Sequence, residues 1–198
     1  TRPELIPSAV ALIAHPDDER YTGLFGTTVR SPLFGVEIPV VAHPAAEMDK
    51  GAGIAMCCTF GDLTDVTWWR ELNLPTRTVI GRDGRIQGET PEWIVNADAY
   101  EAIAGKTAFS AREATVAMLR ETGDLDGDPK PTTRMTNFYE KGDKPLEIIG
   151  SAAAQQGADS ARPPAKHRHI QVTRPENQVF FRNPGQLQQP AHFLDALR

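Results

Sequence analysis

The chain has 198 residues, of which 40% are hydrophobic and 24% charged, as is typical of a soluble protein with one domain and a sizeable core. No apolar run approaches the roughly 18 residues that a membrane-spanning helix needs, and no basic-then-apolar leader is present, so we expect a cytoplasmic protein without membrane contacts. The net charge of −5 argues against a protein that coats DNA or duplex RNA, because binding many phosphates requires a basic surface. A pocket could still hold the end of a single nucleic-acid strand.

The first half of the chain predicts three short strands. The first is an apolar run over 8–14, and it ends in the polar turn 15–20. Two further strand candidates follow over 26–30 and 35–42. Pro39 lacks an N–H group, so we expect the third strand to lie at a sheet edge or to contain a bulge.

A buried strand over 52–58 and a helix after the turn at Gly61 form the centre of the sequence. Adjacent Cys57 and Cys58 on a strand point to opposite faces, so they cannot form a structural disulfide, and a reducing compartment is expected. The helix should turn one face inward and end near Asn73 and Pro75; that face contains Leu63, Val66, Trp69 and Leu72.

Asp62 and Asp65 fall at the N-cap and in the first turn of this helix. One interpretation is purely structural, since carboxylates at these positions satisfy orphan N–H groups and the helix dipole. The other interpretation is a binding site, because two carboxylates at one helix N-terminus should have lowered pKa values and remain anionic.

The second half predicts a hairpin over 78–87 that turns at Asp83-Gly84 and a short helix over 97–104 that stops at Gly105. Another helix is indicated by the capping box from Ser110 to Glu113, with Val116 and Leu119 facing inward and Gly123 ending it. A loop over 124–129 and strands over 135–139 and 146–149 complete the expected elements.

Short strands with inserted helices predict a mixed α and β fold built on a small closed or half-closed barrel. A doubly wound parallel sheet is disfavoured because strands and helices do not alternate strictly. Residues 152–198 differ in composition and carry six basic against three acidic residues, which leaves −8 for the residues before them. We expect this tail to be linker-like or partly disordered, with one short amphipathic helix after residue 185, and we interpret His167-Arg-His169 as linker rather than metal site.

Five motifs occur in one order with one set of spacings. They are Thr1-Arg-Pro-Glu4, His15-Pro-Asp-Asp-Glu-Arg-Tyr21, Gly26-Thr-Thr-Val-Arg-Ser-Pro-Leu-Phe-Gly35, Gly51-Ala-Gly53 and Gly61-Asp-Leu-Thr-Asp65. Together they resemble the editing domain inserted in the catalytic core of valyl-tRNA synthetase, a class I aminoacyl-tRNA synthetase, and the resemblance covers residues 1–151. It implies a six-stranded barrel with peripheral helices. The chain departs from the family pattern at Leu5, Met56 and Gly61, and it contains neither of the HIGH and KMSKS motifs of the ATP-dependent site.

The resemblance implies hydrolysis of threonine from wrongly charged tRNA(Val), without a metal or cofactor. A valine pocket cannot strongly refuse isosteric threonine, which is the known limit of this enzyme class and the reason for a second, hydrolytic site. Expected partners are the 3′ end of tRNA(Val) that carries threonine and the rest of the synthetase.

Asp62 and Asp65 are the expected catalytic residues by this resemblance. Asp65 would hold the α-ammonium group, and Asp62 would read the threonine hydroxyl and position the attacking water. Arg2 would contact the terminal adenosine or the ester carbonyl, or alternatively form a surface ion pair with Glu4. Thr1 and Glu4 complete the expected substrate-binding set.

Two other functions remain open. The run from His15 through Asp17 and Asp18 to Glu19 also resembles the strand-end motif of zinc-dependent sugar N-deacetylases, although a third ligand is not recognisable. The departures at Leu5 and Met56 are alternatively explained by an inactive tRNA-binding domain. Trp68 and Trp69 are expected to lie in the core rather than to stack on bases.

Overall fold

The computed structural model describes residues 2–58, 63–137 and 169–181. Its centre is a four-stranded sheet of β1 (Ala9–Ala14), β2 (Thr28–Arg30), β3 (Glu37–Ala42) and β4 (Ile54–Cys58), in the spatial order β2-β3-β1-β4. β1 and β3 are parallel, whereas β2 and β4 run antiparallel to their neighbours. These four strands confirm the predicted ones to within one or two residues at most ends.

Both faces of the sheet are covered. Because successive strand residues point to opposite sides, Cys57 and Cys58 lie in two different apolar clusters, as predicted. The larger cluster joins the sheet to α2 (Ala97–Glu101), α3 (Ala108–Thr122) and a 3-10 helix over Pro3–Ser8. The smaller cluster lies under α1 (Leu63–Glu71), the helix predicted after the central strand; its members include Val10, Ile13 and Trp68. No helix in these described ranges is long and apolar enough to cross a bilayer.

The closed barrel is not what the described residues form. Their sheet is open, with β2 at one edge and β4 at the other, so the coarser expectation of a mixed α and β fold is confirmed and the barrel is not. The 78–87 hairpin is present only as a bridge between Ile80 and Ile86, with the predicted turn at Gly84, and it adds no strand to this sheet.

Pro39 does not mark an edge, and that prediction is wrong. β3 lies between β2 and β1, and Pro39 is paired with Thr28 without a bulge. The missing N–H is tolerated because the parallel pairing of β3 with β1 begins only at the next residue, Val40. Just before that point the side chain of Arg77 joins the two strands, with Nη1 2.7 Å from the carbonyl oxygen of Ala9 and 3.2 Å from that of Glu37.

The N-terminus of α3 lies earlier than predicted. Thr107 is the N-cap, and its hydroxyl accepts a hydrogen bond from the N–H group of Ser110 at 3.2 Å. Ser110 therefore lies in the first turn, and the capping box from Ser110 is wrong because Thr107 already supplies the same bond one turn earlier. Val116 and Leu119 are buried and Gly123 ends the helix at φ 79°, as predicted.

Beyond α3 the chain continues as β5 (Leu125–Asn137), which pairs antiparallel with β6 (His169–Phe181). The loop predicted over 124–129 is therefore mostly strand, and the composition of the tail did not reveal β6. Pairing explains this error, since a strand can be fixed by its partner where its own sequence is polar. The predicted strand over 146–149 and the helix after residue 185 lie outside the described residues.

Candidate functional site

Asp65 lies in the first turn of α1, where it is only 8% exposed. The helix runs next to β4, and the Sγ atom of Cys57 contacts the backbone oxygen of Asp65 at 4.0 Å. The short apolar strand and the helix that follows it thus place this carboxylate beside the end of β4. Asp62 and Thr1 lie outside the described residues, so their expected roles stay predictions.

The buried face of α1 differs from the predicted one. Leu63 is 77% exposed, while Asp65 and Trp68 are buried. The helix is rotated about its axis relative to the prediction because a hydrogen bond fixes Trp68 in the smaller cluster. The Nε1–H group of Trp68 donates to Nδ1 of His43 at 3.1 Å. Trp68 is confirmed as a core residue, and the rotation brings Asp65 inward instead of Leu63.

His43 connects this helix to the end of β3. Its Nδ1 also accepts from the N–H group of Ala45 at 3.1 Å, so the proton is on Nε2, which donates to a carboxylate oxygen of Glu71 at 2.7 Å. Glu71 ends α1 and Trp68 lies one turn before it, so a single imidazole holds the helix at two points.

The Cys58 thiol lies at the end of β4, in the larger apolar cluster. Burial raises its pKa well above the ordinary value, and the negative charge of Asp65 raises the pKa further, while Arg2 opposes the shift. Its Sγ atom lies 3.4 Å from the carbonyl oxygen of Leu5. The thiol therefore stays protonated and is no nucleophile. Asp65 and Arg2 both act on it electrostatically, and Arg2 is the N-cap of the 3-10 helix that contains Leu5.

Glu4 is completely buried and bound by two guanidinium groups. Its Oε1 accepts from Nη2 of Arg112 at 2.6 Å and from Nε of Arg2 at 2.9 Å, and its Oε2 accepts from Nε of Arg112 at 3.0 Å. Burial by itself would raise the pKa of Glu4, but the hydrogen bond from Arg112 and the charges of both arginines outweigh it, so the pKa is lowered.

This geometry changes the expected role of Glu4. A carboxylate with 0% exposure and three N–H donors is poorly placed to touch a substrate, so the inclusion of Glu4 among the substrate-binding residues is not supported. The ion pair between Arg2 and Glu4 exists, but it lies in the interior rather than on the surface.

Arg112 is the site residue that the sequence analysis missed. It lies four residues before Val116 and seven before Leu119, so helical periodicity places it on the buried stripe of α3. An arginine on such a stripe requires a buried carboxylate partner. The sequence therefore already indicated a buried ion pair at Arg112. What the sequence could not give is the identity of the partner, which lies 108 residues away.

The described residues contain no group of three potential metal ligands. In the His15 turn, the Asp18 carboxylate is already bound by Arg20, whose Nε and Nη2 lie 2.8 and 2.6 Å from its two oxygens. The side chain of His15 accepts from the N–H group of Asp17 at 3.2 Å. This turn is therefore a structural element, and the geometry gives no support to a zinc site in it.

Comparison with known proteins finds no matching family model. Among curated proteins the chain is similar to the valine--tRNA ligase of Cutibacterium acnes, at 73% identity over 154 residues. It is also similar to those of Salinispora tropica, at 66% over 152 residues, and Bifidobacterium longum, at 64% over 154 residues. These matches cover 75–76% of this chain but only 17–18% of each relative, so the chain spans less than a fifth of the proteins that it matches. Along 75–76% of its length, the chain is therefore homologous to a segment of the valine--tRNA ligases.

Proposed function

We propose that this chain is an editing domain that hydrolyses threonine from wrongly charged tRNA(Val). The supporting observation is the buried Asp65 in the first turn of α1, which acts electrostatically on the same thiol as Arg2, in a chain of which 76% is 62–73% identical to segments of valine--tRNA ligases. An anion and a cation that act on the same thiol suit an aminoacyl ester, which has an ammonium group at one end and carbonyl and ribose oxygens at the other.

Asp65 is the proposed partner of the α-ammonium group, because an anionic carboxylate gains a charge-assisted hydrogen bond there. Arg2 is the proposed contact for the terminal adenosine or the ester carbonyl. Asp62 and Thr1 belong to the same proposal: Asp62 would accept from the threonine hydroxyl, and Thr1 would line the pocket. A buried acceptor left unpaired by valine costs about 1–3 kcal/mol, which favours threonine.

The reaction is ester hydrolysis. A water molecule attacks the carbonyl carbon, the bond between that carbon and the ribose oxygen breaks, and threonine and free tRNA leave. We propose that Asp62 and the neighbouring ribose hydroxyl orient the water, and that neither Asp62 nor Asp65 acts chiefly as a proton shuttle, because a helix N-terminus favours the anionic form of a carboxylate and makes it a poor general base near neutral pH.

The proposal extends to the full architecture and to the partners. The barrel of the editing-domain family, with its six strands, would require strands in addition to the four of the central sheet. The rest of the synthetase would deliver the tRNA end, and this segment would not itself use ATP.

Incubation of the 198-residue chain with Thr-tRNA(Val) and, separately, with Val-tRNA(Val) tests the function. We expect release of threonine well above the spontaneous rate and little release of valine. Retained tRNA binding without deacylation would instead support an inactive tRNA-binding domain. Stoichiometric zinc in the purified protein, with no deacylation, would support the N-deacetylase alternative.

A further inference from the structure

We propose that Arg112 is a positioning residue, which acts through the buried carboxylate of Glu4 to fix the guanidinium of Arg2 at the candidate site. The inference rests on the proposed function for its consequence in catalysis, but its structural part stands without it. Neither the resemblance nor the relatives assign a role to Arg112.

The three side chains form a chain of hydrogen bonds from Arg112 through Glu4 to Arg2. Arg112 presents two N–H groups side by side to both oxygens of Glu4, at 2.6 and 3.0 Å, which fixes the carboxylate plane. The Oε1 atom is thereby directed at Nε of Arg2, 2.9 Å away. A lysine could not impose this orientation, because an ammonium group is a point charge without the planar fork.

Arg112 lies on α3, a helix of 15 residues, whereas Arg2 lies at the start of a 3-10 helix of six residues. The short 3-10 helix by itself leaves a long side chain many rotamers, and the bond from Nε of Arg2 to Glu4, which is itself held by the longer helix, restricts them. The two arginine side chains are 11% and 7% exposed, so the connection is shielded from water.

Arg2 is the N-cap of the 3-10 helix whose Leu5 carbonyl oxygen lies 3.4 Å from the Cys58 thiol, and the neighbouring Cys57 contacts the backbone of Asp65. Arg2 and Asp65 also act electrostatically on the Cys58 thiol, so a displaced Arg2 would change the charge distribution near Asp65. A misplaced group at a reacting centre costs about 10- to 100-fold in rate, even when the substitution lies outside contact with substrate. Arg112 would therefore influence deacylation without touching the tRNA.

The test uses the 198-residue chain with Arg112→Lys, Arg112→Met and Arg2→Lys. Arg120→Lys is the matched control, since Arg120 lies on the same helix in an exposed ion pair with Asp128. The first measurement is hydrogen exchange of the Arg2 Nε–H group by nitrogen-15 NMR, with the signal assigned by its loss in Arg2→Lys. We expect slow exchange in the parent chain and in Arg120→Lys, and exchange at least about tenfold faster in Arg112→Lys.

The second measurement is the deacylation rate as a function of Thr-tRNA(Val) concentration. We expect Arg112→Lys and Arg2→Lys each to lower kcat/KM by about tenfold or more, and the double variant to be little worse than either, because both act through one guanidinium. A purely structural role would leave these parameters unchanged in molecules that remain folded. Arg112→Lys keeps the charge at this position and thereby guards against the case in which Arg112→Met does not fold.

The outcomes separate the two proposals. Unchanged Arg2 exchange in a folded Arg112→Lys variant overturns the positioning role, whatever the activity. Independent, multiplying effects of the two substitutions overturn it as well. A parent chain without any deacylation overturns the proposed function instead, and the exchange measurement still decides whether Arg112 positions Arg2.

Discussion

The Nη2 atom of Arg112 lies 2.6 Å from Oε1 of Glu4, although 108 residues separate the two along the chain. This ion pair ties α3 to the 3-10 helix at the beginning of the described residues, and Glu4 has no exposure to solvent. Its carboxylate remains charged in the interior only because two guanidinium groups bind it.

Removal of the Arg112 guanidinium should destabilise the protein strongly. In Arg112→Met, Glu4 would keep a single charged partner in an apolar setting, and breaking one side of a buried ion pair costs about 3–5 kcal/mol. Arg120→Met is the control: its pair with Asp128 is exposed and should contribute less than about 1 kcal/mol. Urea unfolding measures both, and equal losses would show that Glu4 is not held as the structure indicates.

The lowered pKa of Glu4 predicts how stability depends on pH. A carboxyl whose folded pKa lies below its ordinary value of 4.5 stabilises the protein fully above that pH, and the contribution is lost as the pH falls through the folded pKa. The free energy of unfolding should therefore fall as the pH is lowered from 4.5 through the folded pKa of Glu4. In Glu4→Gln this fall should be smaller but still present, because the bond from Arg20 also lowers the pKa of Asp18. Identical pH profiles of the parent and Glu4→Gln would contradict the assignment.

The proposed role of Asp65 predicts a defect in activity beyond any effect on stability. Asp65→Asn keeps the size of the side chain but removes the charge that would bind the α-ammonium group, and a hydrogen bond to a charged group contributes about 1.5–3 kcal/mol. We expect kcat/KM for Thr-tRNA(Val) to fall by roughly 10- to 150-fold.

The matched control for this prediction is Asp98→Asn, which removes an exposed carboxylate from the first turn of α2. Both variants lose a favourable interaction with a helix N-terminus, so any shared effect is due to the helix dipole. If the two lower deacylation equally, Asp65 has only a structural role.

Much of this molecule could be predicted locally, and the errors share a cause. The strands around Leu12, Val40 and Cys57 are apolar runs, and the end of α3 is fixed by Gly123; both depend on neighbouring residues alone. Which face of α1 is buried, and the burial of Glu4, depend on partners that are distant in the sequence. A local sequence pattern does not identify such partners. The interior position of β3 is unpredictable for the same reason. A proline excludes an interior strand only where a neighbouring strand needs its N–H group, and neither β1 nor β2 needs that of Pro39.

Close approach at Gly53 predicts a large cost for a single added methyl group. Gly53 and Gly26 have the same φ of 81°, so alanine strains the backbone equally at both, by about 1–2 kcal/mol. Around Gly26 the methyl group meets nothing within 4 Å, whereas at Gly53 it would collide with the Arg20 guanidinium and lie 2.7 Å from the carbonyl oxygen of Met48. Gly53→Ala should therefore lose about 1–3 kcal/mol more than Gly26→Ala in urea unfolding. Equal losses would mean that neither the Arg20 guanidinium nor the Met48 carbonyl oxygen lies this close to Gly53.

The bond between Trp68 and His43 should couple the two residues energetically. Trp68→Phe removes the Nε1–H donor, now 3.1 Å from Nδ1 of His43, and should cost about 1 kcal/mol beyond the change in packing. In a His43→Ala background that part of the cost should disappear, because the acceptor is already missing. Urea unfolding of the four proteins in this cycle measures the coupling.

The control cycle replaces Trp68→Phe by Trp93→Phe. The Nε1–H group of Trp93 donates to the carbonyl oxygen of Pro7 at 2.8 Å, a bond of the same kind without any part in the His43 contacts. Its cost should be the same with and without His43, since separate sites add. Strict additivity in both cycles would show that His43 does not hold α1, and the inward position of Asp65 would then need another cause.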